Sequence, residues 1–485
     1  MPQYDRNRNV EDRQGGIQAI SRAQFAAIER AAEQEQVRFE SEPANGSPTH
    51  IWQKDHLLVS GDVVEYGIEG LSRFATEPVR HLDGTEQSNA PGRARLLRIN
   101  ENEGRSAWQV AAYLNSQRGL AGKVAVNNVV HVAHQDGANL CPADEPVPGR
   151  PFPETIPYPP PMAGDAGLGV RVEVVDTGLS PGWSANHPWL HVDGRAAEVS
   201  GDREDGTYRP DGRIAAHAGH GTFIAGIVRC VAPGATVHVS NTLRWAGAML
   251  ESEVARAIID AADRSPAPHV INLSAGFVPM HDHAEKSAPL ALGMLDVMRH
   301  LTRRGCRTLL VAAAGNDGKG PDDVWFYPAA FAGEKEFDDV VVAVGALQQD
   351  REGRACFSNF GDWVTVYEDG EKLVNAFPEG MFRYQEPLLG KDASVCVYGD
   401  PPLYDGCSCV TAPQQGTVVR SRGMAEWSGT SFAAPVVVGR LAERMSHRFA
   451  DRPRAAMQDL LKDTIEIKDA GDRVRLPIFP RPVGG

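Results

Sequence analysis

The sequence predicts an α/β protein with a doubly wound, mainly parallel sheet and helices on both faces, preceded by a smaller α+β domain. Two apolar runs carry the sheet prediction. The run 170–175 ends at Asp176, and the run 311–314 leads through a glycine into Asn316. Apolar runs of this length are typical of buried parallel strands, and the carboxyl ends of such strands collect the active sites of open sheets.

A helix is predicted over 432–445, where Ala, Val and Leu predominate and Pro435 falls in the first turn. Ser431 comes just before it, in the segment Gly-Thr-Ser-Phe-Ala-Ala-Pro. Free N–H groups and the helix dipole at that end favour a developing oxyanion. A lone serine in such a turn is more often a helix cap than a nucleophile. Ser431 therefore indicates a catalytic site only together with other catalytic residue types.

Three further polar residues are of the types that such a catalytic site requires. His220 stands between glycines at the start of a small-residue helix, and Asp176 and Asn316 follow the two apolar runs. Singly, each also fits a cap, a surface histidine or a turn residue. Together they follow the chain order Asp, His, Ser, with the asparagine before the serine. A lipase-like elbow would need a glycine at Ala433 and a histidine after the serine.

With these four motifs the chain resembles the subtilase family of serine peptidases over roughly residues 166–450. The resemblance implies that Ser431 is the nucleophile, that His220 takes and returns its proton, and that Asp176 orients His220. It also implies that the Asn316 side-chain amide and the Ser431 backbone N–H form the oxyanion hole. The reaction expected from these roles is hydrolysis of peptide bonds through an acyl-enzyme.

The resemblance assigns substrate-binding roles to two short segments, which comprise Ser274, Ala275, Gly276, Ala313, Ala314 and Gly315. The first segment would pair with an extended polypeptide as an added edge strand. The second would form one wall of the primary specificity pocket. Its small residues predict a roomy pocket, with Asp317 near the rim. The segment 245–247 is expected to form the opposite wall of the cleft.

The chain divides into four predicted parts. Residues 1–140 form an α+β domain, with strand-like runs at 57–66 and 95–99, a helix starting near Ser106 and a strand at 124–133. This pattern resembles the propeptide domains of subtilases, which aid folding and inhibit; an unrelated regulatory or docking domain is the alternative. Residues 141–165 form a proline-rich linker. The catalytic domain spans 166–467 with an insertion at 363–422, and 468–485 is a loosely ordered tail.

Composition restricts the partners and the compartment. The net charge of -14 argues against nucleic acid or an anionic membrane. No run approaches the about 18 apolar residues that span a membrane. The amino-terminal residues lack the apolar stretch of a secretory signal, so we expect a cytoplasmic protein. The expected partners are a polypeptide substrate and a regulatory protein that binds the N-terminal domain or the insertion.

No cofactor or metal is expected. Seven cysteines, an odd number, fit reduced thiols better than a disulfide framework. Cys396, Cys407 and Cys409 cluster in sequence but lack the Cys-x-x-Cys spacing of a zinc site. The chain from Ile227 to Gly234 leaves no room for the calcium-binding loop of many secreted subtilases.

The predicted function is therefore that of a serine endopeptidase restrained by its N-terminal domain. Two alternatives belong to other classes. A catalytically silent binding module is disfavoured by the four intact motifs, and a non-peptide acyl hydrolase is disfavoured by the peptide-pairing segment at Ser274–Gly276.

Overall fold

The structure of the protein is a computed structural model that describes residues 22–480, except 43–47, 67–70, 91, 101–103, 118, 133–144, 163, 186, 191–197, 280–290, 304, 306, 319–323, 385–415 and 469–474. The cluster of Cys396, Cys407 and Cys409 lies outside the described residues. We call the described residues up to 132 the N-terminal domain and those from 145 the C-terminal domain.

The N-terminal domain has a small antiparallel sheet with helices. Its elements are α1 (Arg22–Gln34), β1 (Phe39–Glu42), β2 (His50–Val59), α2 (Gly61–Tyr66), α3 (Leu71–Phe74), β3 (Ala75–Pro78), β4 (Arg95–Ile99), α4 (Ala107–Asn115) and β5 (Val124–His131). The strand order is β5-β2-β4-β3, with β1 also paired to β2. Helix α4 starts at a capping box, in which Ser106 Oγ accepts from the Gln109 N–H and Gln109 Oε1 accepts from the Ser106 N–H.

The prediction of a strand over 57–66 is wrong for its second half. Strand β2 ends at Val59, and residues 61–66 form α2 instead. The Ser60 carbonyl accepts hydrogen bonds from the Val63 and Val64 N–H groups, which turns the chain into a helix. A side chain at Gly61 would overlap the backbone of Arg93, so the turn also depends on close packing.

The C-terminal domain contains β6 (Val147–Pro148), β7 (Arg171–Asp176), β8 (Val199–Gly201), β9 (Arg213–Ile214), α5 (His220–Val231), β10 (Thr236–Asn241), β11 (Ala248–Leu250), α6 (Glu251–Asp263), β12 (Val270–Leu273), α7 (Leu292–Arg303), β13 (Leu309–Ala313), β14 (Val341–Leu347), β15 (Val366–Asp369), β16 (Leu373–Arg383), β17 (Val418–Trp427), α8 (Thr430–Arg448), α9 (Pro453–Leu460), β18 (Ile465–Lys468) and β19 (Arg475–Ile478). Its central sheet has the order β18-β19-β15-β14-β13-β12-β7-β10-β8. Every neighbouring pair from β19 to β8 is parallel.

This sheet confirms the predicted doubly wound, mainly parallel fold. Helices α5 and α8 pack on one face, and α6 packs on the other face with α7 beside it. Along β7 the residues alternate between the two cores, with Val172 and Val174 on the α5 side and Val175 on the α6 side. The chain leaves β7 for β8 and β10 on one side and later crosses to β12 on the other, so Asp176 ends beside the switch point.

Three segments are more ordered than the sequence suggested. The tail contains β19, so the expectation of a loosely ordered end is wrong for 475–478: Leu476 and Ile478 are buried against the central sheet. In the proline-rich segment, β6 pairs with β17, and Tyr158 exchanges two backbone hydrogen bonds with Val374. The stretch 363–422 contributes β15 to the central sheet and β16 to a long hairpin with β17.

Candidate active site

Asp176 and His220 are in direct contact at the carboxyl edge of the sheet. Asp176 ends β7 and is fully buried, and His220 is the first residue of α5. His220 Nδ1 lies 2.8 Å from Asp176 Oδ1 and 3.0 Å from Oδ2. Gly219, with φ of 85°, turns the chain into the helix, and a Cβ there would overlap Pro378. The carboxylate fixes the imidazole ring and favours its Nδ1–H tautomer.

Ser431 lies in the first turn of α8, which begins at Thr430 rather than at Phe432 as the sequence predicted. Pro435 therefore sits in the second turn, where it has no N–H to donate to the Ser431 carbonyl four residues earlier. That carbonyl instead accepts from Ser274 Oγ at 2.7 Å. In return, Ser431 Oγ donates to the Ser274 carbonyl oxygen at 3.1 Å. The two serines thus join the start of α8 to the end of β12.

Asn316 is held in one orientation by the residue before the serine. Its Oδ1 accepts from both the Thr430 N–H and the Thr430 hydroxyl, each at 3.0 Å. The Thr430 hydroxyl also accepts from the Gly315 N–H at 3.1 Å. The Asn316 Nδ2 group, at the other end of the amide, lies 3.5 Å from where a Cβ of Gly429 would be. The Ser431 N–H, in the first turn, has no helical acceptor. Both donors therefore lie at the start of α8.

A buried carboxylate joins the loops that carry Asp176 and His220. Glu204 Oε1 accepts from the Thr177 hydroxyl and from the Gly219 N–H, both at 2.8 Å. Its Oε2 accepts from the hydroxyls of Ser180 and Thr207, both at 2.9 Å. Burial raises the pKa of Glu204 to about 7. Sequence reasoning missed this residue because it lies 28 positions after Asp176, in no recognisable motif.

Aromatic rings and a second histidine enclose His220. The ring centroids of Trp427 and Phe432 lie 5.6 Å and 5.3 Å from that of His220. His217 is also buried nearby, and burial, together with His220 and His131, lowers the pKa of His217 to about 3. These neighbours exclude water from the Asp176–His220 pair, which strengthens its electrostatic interaction.

The predicted cleft holds a strand of the N-terminal domain. His131, the last residue of β5, exchanges two backbone hydrogen bonds of 3.0 Å with Gly276. On the other side β5 pairs with β11, and the Val132 N–H donates to the Gly247 carbonyl at 2.9 Å. The segments 274–276 and 245–247, which the sequence assigned to opposite walls, therefore both pair with the same strand. Ala275 is fully buried behind it.

The second substrate-binding segment follows β13. Ala313 ends this strand, and Ala314 and Gly315 continue toward Asn316. Asn359 ties the segment down, since its Nδ2 donates to the Ala314 carbonyl at 2.8 Å and its N–H donates to the Gly315 carbonyl at 3.0 Å. Asp317 is only 8% exposed, and its N–H donates to Asn359 Oδ1 at 2.6 Å.

The part of the chain that the structure describes contains no cluster of three or more His, Cys, Asp or Glu side chains suited to a metal ion. Among its helices, none is both long and apolar enough to cross a membrane. Cys230 and Cys356 are buried free thiols.

The sequence profile of the subtilase family matches residues 167–478. The chain belongs to the subtilase family. The family suggested by the four motifs is thereby confirmed.

Two curated subtilases are similar to this chain over part of their length. Alkaline elastase YaB of Bacillus sp. (strain YaB) is 30% identical over 224 residues, which are 44% of this chain and 49% of that protein. Thermophilic serine proteinase of Bacillus sp. (strain AK1) is 31% identical over 227 residues, 44% of this chain and 47% of that protein. The chain thus spans about half the length of the curated relatives it matches.

Among solved structures, the prenylagaramide maturation protease PagA is 22% identical with a TM-score of 0.39, over 63% of this chain and 86% of that one. A cold adapted subtilisin-like serine proteinase is 20% identical with a TM-score of 0.41, over 70% of this chain and 96% of that one.

Proposed function

We propose that this subtilase is a serine endopeptidase in which Ser431 attacks a peptide carbonyl and His220 acts as the base. The contact of 2.8 Å between His220 and the buried carboxylate of Asp176 is the observation that carries this proposal. Asp176 stabilises the imidazolium that forms when His220 takes the proton. Before attack, the Ser431 hydroxyl must exchange its bond to the Ser274 carbonyl for one to His220 Nε2. The Asn316 amide and the Ser431 N–H then bind the oxyanion.

A peptide is the best substrate because the cleft accepts an extended backbone. Gly276 and Gly247 both bind backbone groups of one chain segment, 131–132, as an added strand. A small acyl ester would use neither set of hydrogen bonds, so a non-peptide hydrolase does not account for them. We further propose that the protein acts in the cytoplasm, which the buried thiols of Cys230 and Cys356 support.

Labelling with a fluorophosphonate probe tests the proposed nucleophile. The full-length protein should be labelled, and Ser431→Ala should not be labelled while keeping its melting temperature within a few degrees. Ser428→Ala provides a matched control, because Ser428 is a buried serine close in sequence whose hydroxyl accepts a hydrogen bond from the Lys372 N–H. A full-length protein and a protein trimmed to start at Glu145 that neither react with the probe nor cleave peptides would instead indicate a catalytically silent module.

We also propose that the N-terminal domain restrains the enzyme by occupying the cleft with the end of β5. The pairing of His131 with Gly276 and of Val132 with Gly247 uses the groups that a substrate would need. Additional contacts support the docking: Asn128 Nδ2 donates to Glu251 at 2.7 Å, and Arg244 forms a two-point ion pair with Glu35. A covalently attached segment has a high effective concentration, so even weak intrinsic binding keeps the cleft filled.

A further inference from the structure

The ring of Phe326 lies between the two segments expected to line the primary specificity pocket. A Cβ added at Gly276 would overlap this ring, and one added at Gly315 would lie 2.8 Å from Phe326 Cγ. Phe326 is only 2% exposed, so its ring occupies the space and does not project from the surface. The small residues of the two walls are therefore matched by one large residue between them, and the expectation of a roomy pocket does not hold.

We infer that Phe326 fills the specificity pocket and limits this enzyme to substrates with a small side chain on the residue that provides the scissile carbonyl. This inference rests on the proposed function and names its substrate class. Gly315 has a φ of 97°, a backbone conformation that glycine adopts without strain, so the close approach of the ring and the backbone is built into the site.

Phe326 is held in place on both sides along the chain. On its carboxyl side, Tyr327 and Phe277 exchange backbone hydrogen bonds of 2.9 Å and 3.0 Å. On its amino side, the Val324 carbonyl accepts from Asn359 Nδ2 at 3.1 Å. The same amide group binds the Ala314 carbonyl. These bonds fix the backbone of the Phe326 segment relative to the two wall segments, and the burial of the ring leaves little space for another rotamer.

Ser431 Oγ donates to the Ser274 carbonyl, so the proposed nucleophile lies at the end of the wall segment that begins at Ser274. A methyl group is the largest side chain that we expect to fit beside the Phe326 ring.

The physical basis of the selectivity is overpacking. A leucine or phenylalanine side chain at this subsite would have to displace a buried ring or force strained rotamers. The shape of such a pocket lowers kcat/KM for a substrate whose side chain does not fit by about 10- to 200-fold, relative to a substrate whose side chain fits. The expected preference is therefore measurable without any variant.

The test uses the full-length protein and a series of succinyl-Ala-Ala-Pro-X-p-nitroanilide substrates, with X as Gly, Ala, Val, Leu or Phe. Active sites are counted by fluorophosphonate labelling. We expect kcat/KM to be highest for Ala and at least about tenfold lower for Leu and Phe. Equal or faster cleavage of the Phe substrate, by a preparation of which a separate sample reacts with the probe, would overturn the inference. Failure of both that sample and a protein trimmed to start at Glu145 to react would contradict the proposed function itself.

Phe326→Ala should reverse the selectivity by opening space between Gly276 and Gly315, raising kcat/KM for the Phe substrate at least about tenfold relative to the Ala substrate. Phe337→Ala is the matched control, since Phe337 is equally buried and packs against Phe331. The control should lose stability and keep the wild-type order of substrates. If Phe326→Ala does not fold, the wild-type substrate series alone decides; unchanged selectivity in a folded Phe326→Ala protein also overturns the inference.

Discussion

At the scale of single residues, the site depends on side chains that hold other side chains. Thr430 orients the Asn316 amide, Ser274 orients Ser431, and Glu204 joins the loops of Asp176 and His220. A displacement of about 1 Å at a reacting group costs about 100-fold in rate, so such supporting contacts matter as much as the reacting groups. The sequence predicts the reacting residues, since each stands in a local motif, but not Glu204 or Phe326, whose partners are distant in the chain.

Replacing Glu204 by glutamine should make the melting temperature respond differently to pH. Burial raises the pKa of Glu204 from 4.5 to about 7 in the folded protein. A group whose pKa is raised by folding stabilises the fold fully below its unfolded pKa, and this contribution is lost as the pH rises through the folded pKa. The melting temperature of the wild type minus that of Glu204→Gln should therefore decrease between pH 5 and pH 8, as measured by scanning calorimetry.

The control for this pH series is Ser358→Ala, which removes a buried hydroxyl that binds the Ala346 N–H and does not titrate in this range. Its difference from the wild type should not fall over the same interval. A constant difference for Glu204→Gln across pH 5 to 8 would show that Glu204 is already deprotonated in the folded protein at pH 5, and the predicted rise of its pKa would be wrong.

At the scale of elements, strand and helix ends bring the site together. Asp176 ends β7, Asn316 follows β13, and Ser431 lies in the first turn of α8. These positions could be predicted because apolar runs end where the sheet meets solvent. The pairing of β5 with Gly276 could not, because the two segments are about 145 residues apart and nothing local specifies their register. The burial of β19 was missed for a similar reason, since its partner β15 precedes it by more than 100 residues.

Within α8, we expect Pro435→Ala to increase thermal stability and decrease kcat. Proline in a helix interior is about 3 kcal/mol less favourable than alanine, and alanine would supply the missing N–H to the Ser431 carbonyl. That new bond competes with the one from Ser274 Oγ, which now fixes the position of Ser431. Calorimetry and peptide hydrolysis measure the two effects.

The comparison for that prediction is Ser274→Ala. This variant removes the hydroxyl that donates to the Ser431 carbonyl, and it leaves the sequence of the helix unchanged. It should lower kcat in the same direction and bring no gain in melting temperature. Wild-type kcat in both variants would mean that the bond between the two serines does not position the nucleophile.

At the scale of the whole molecule, the two domains share a core. Ile28 and Val130 of the N-terminal domain pack in one apolar cluster with Leu250 and Ile258 of the C-terminal domain. Polar contacts surround it, among them His81 with Glu253 and Asp83 with Arg256. The N-terminal domain thus packs on α6 and α7. This packing positions the end of β5 in the cleft.

We expect the first cleavage made by the enzyme to be in its own chain, between Ala133 and His134. His131, the last residue of β5, pairs with Gly276, which is two residues after Ser274, the residue to whose carbonyl Ser431 Oγ donates. Amino-terminal sequencing after incubation should find a new terminus at His134, and Ser431→Ala protein should remain whole. A new terminus elsewhere, in a protein that requires Ser431 for cleavage, would show that the register is not the one in which the chain is cut.

The restraint itself is tested by removing the N-terminal domain and adding it back. The trimmed protein should start at Glu145, because residues 147 and 158 pair with the C-terminal domain and are part of its fold. Peptide hydrolysis should be faster for the trimmed protein than for full-length Ala133→Pro, a variant intended to block cleavage at this bond, since only the latter keeps the domain attached.

Residues 1–132 added in trans should inhibit the trimmed protein. Glu35→Lys in these residues should weaken that inhibition because it breaks the ion pair with Arg244. A folded, trimmed protein that is no faster and is not inhibited would favour a docking role for the domain, because a strand that fills the cleft must compete with substrate.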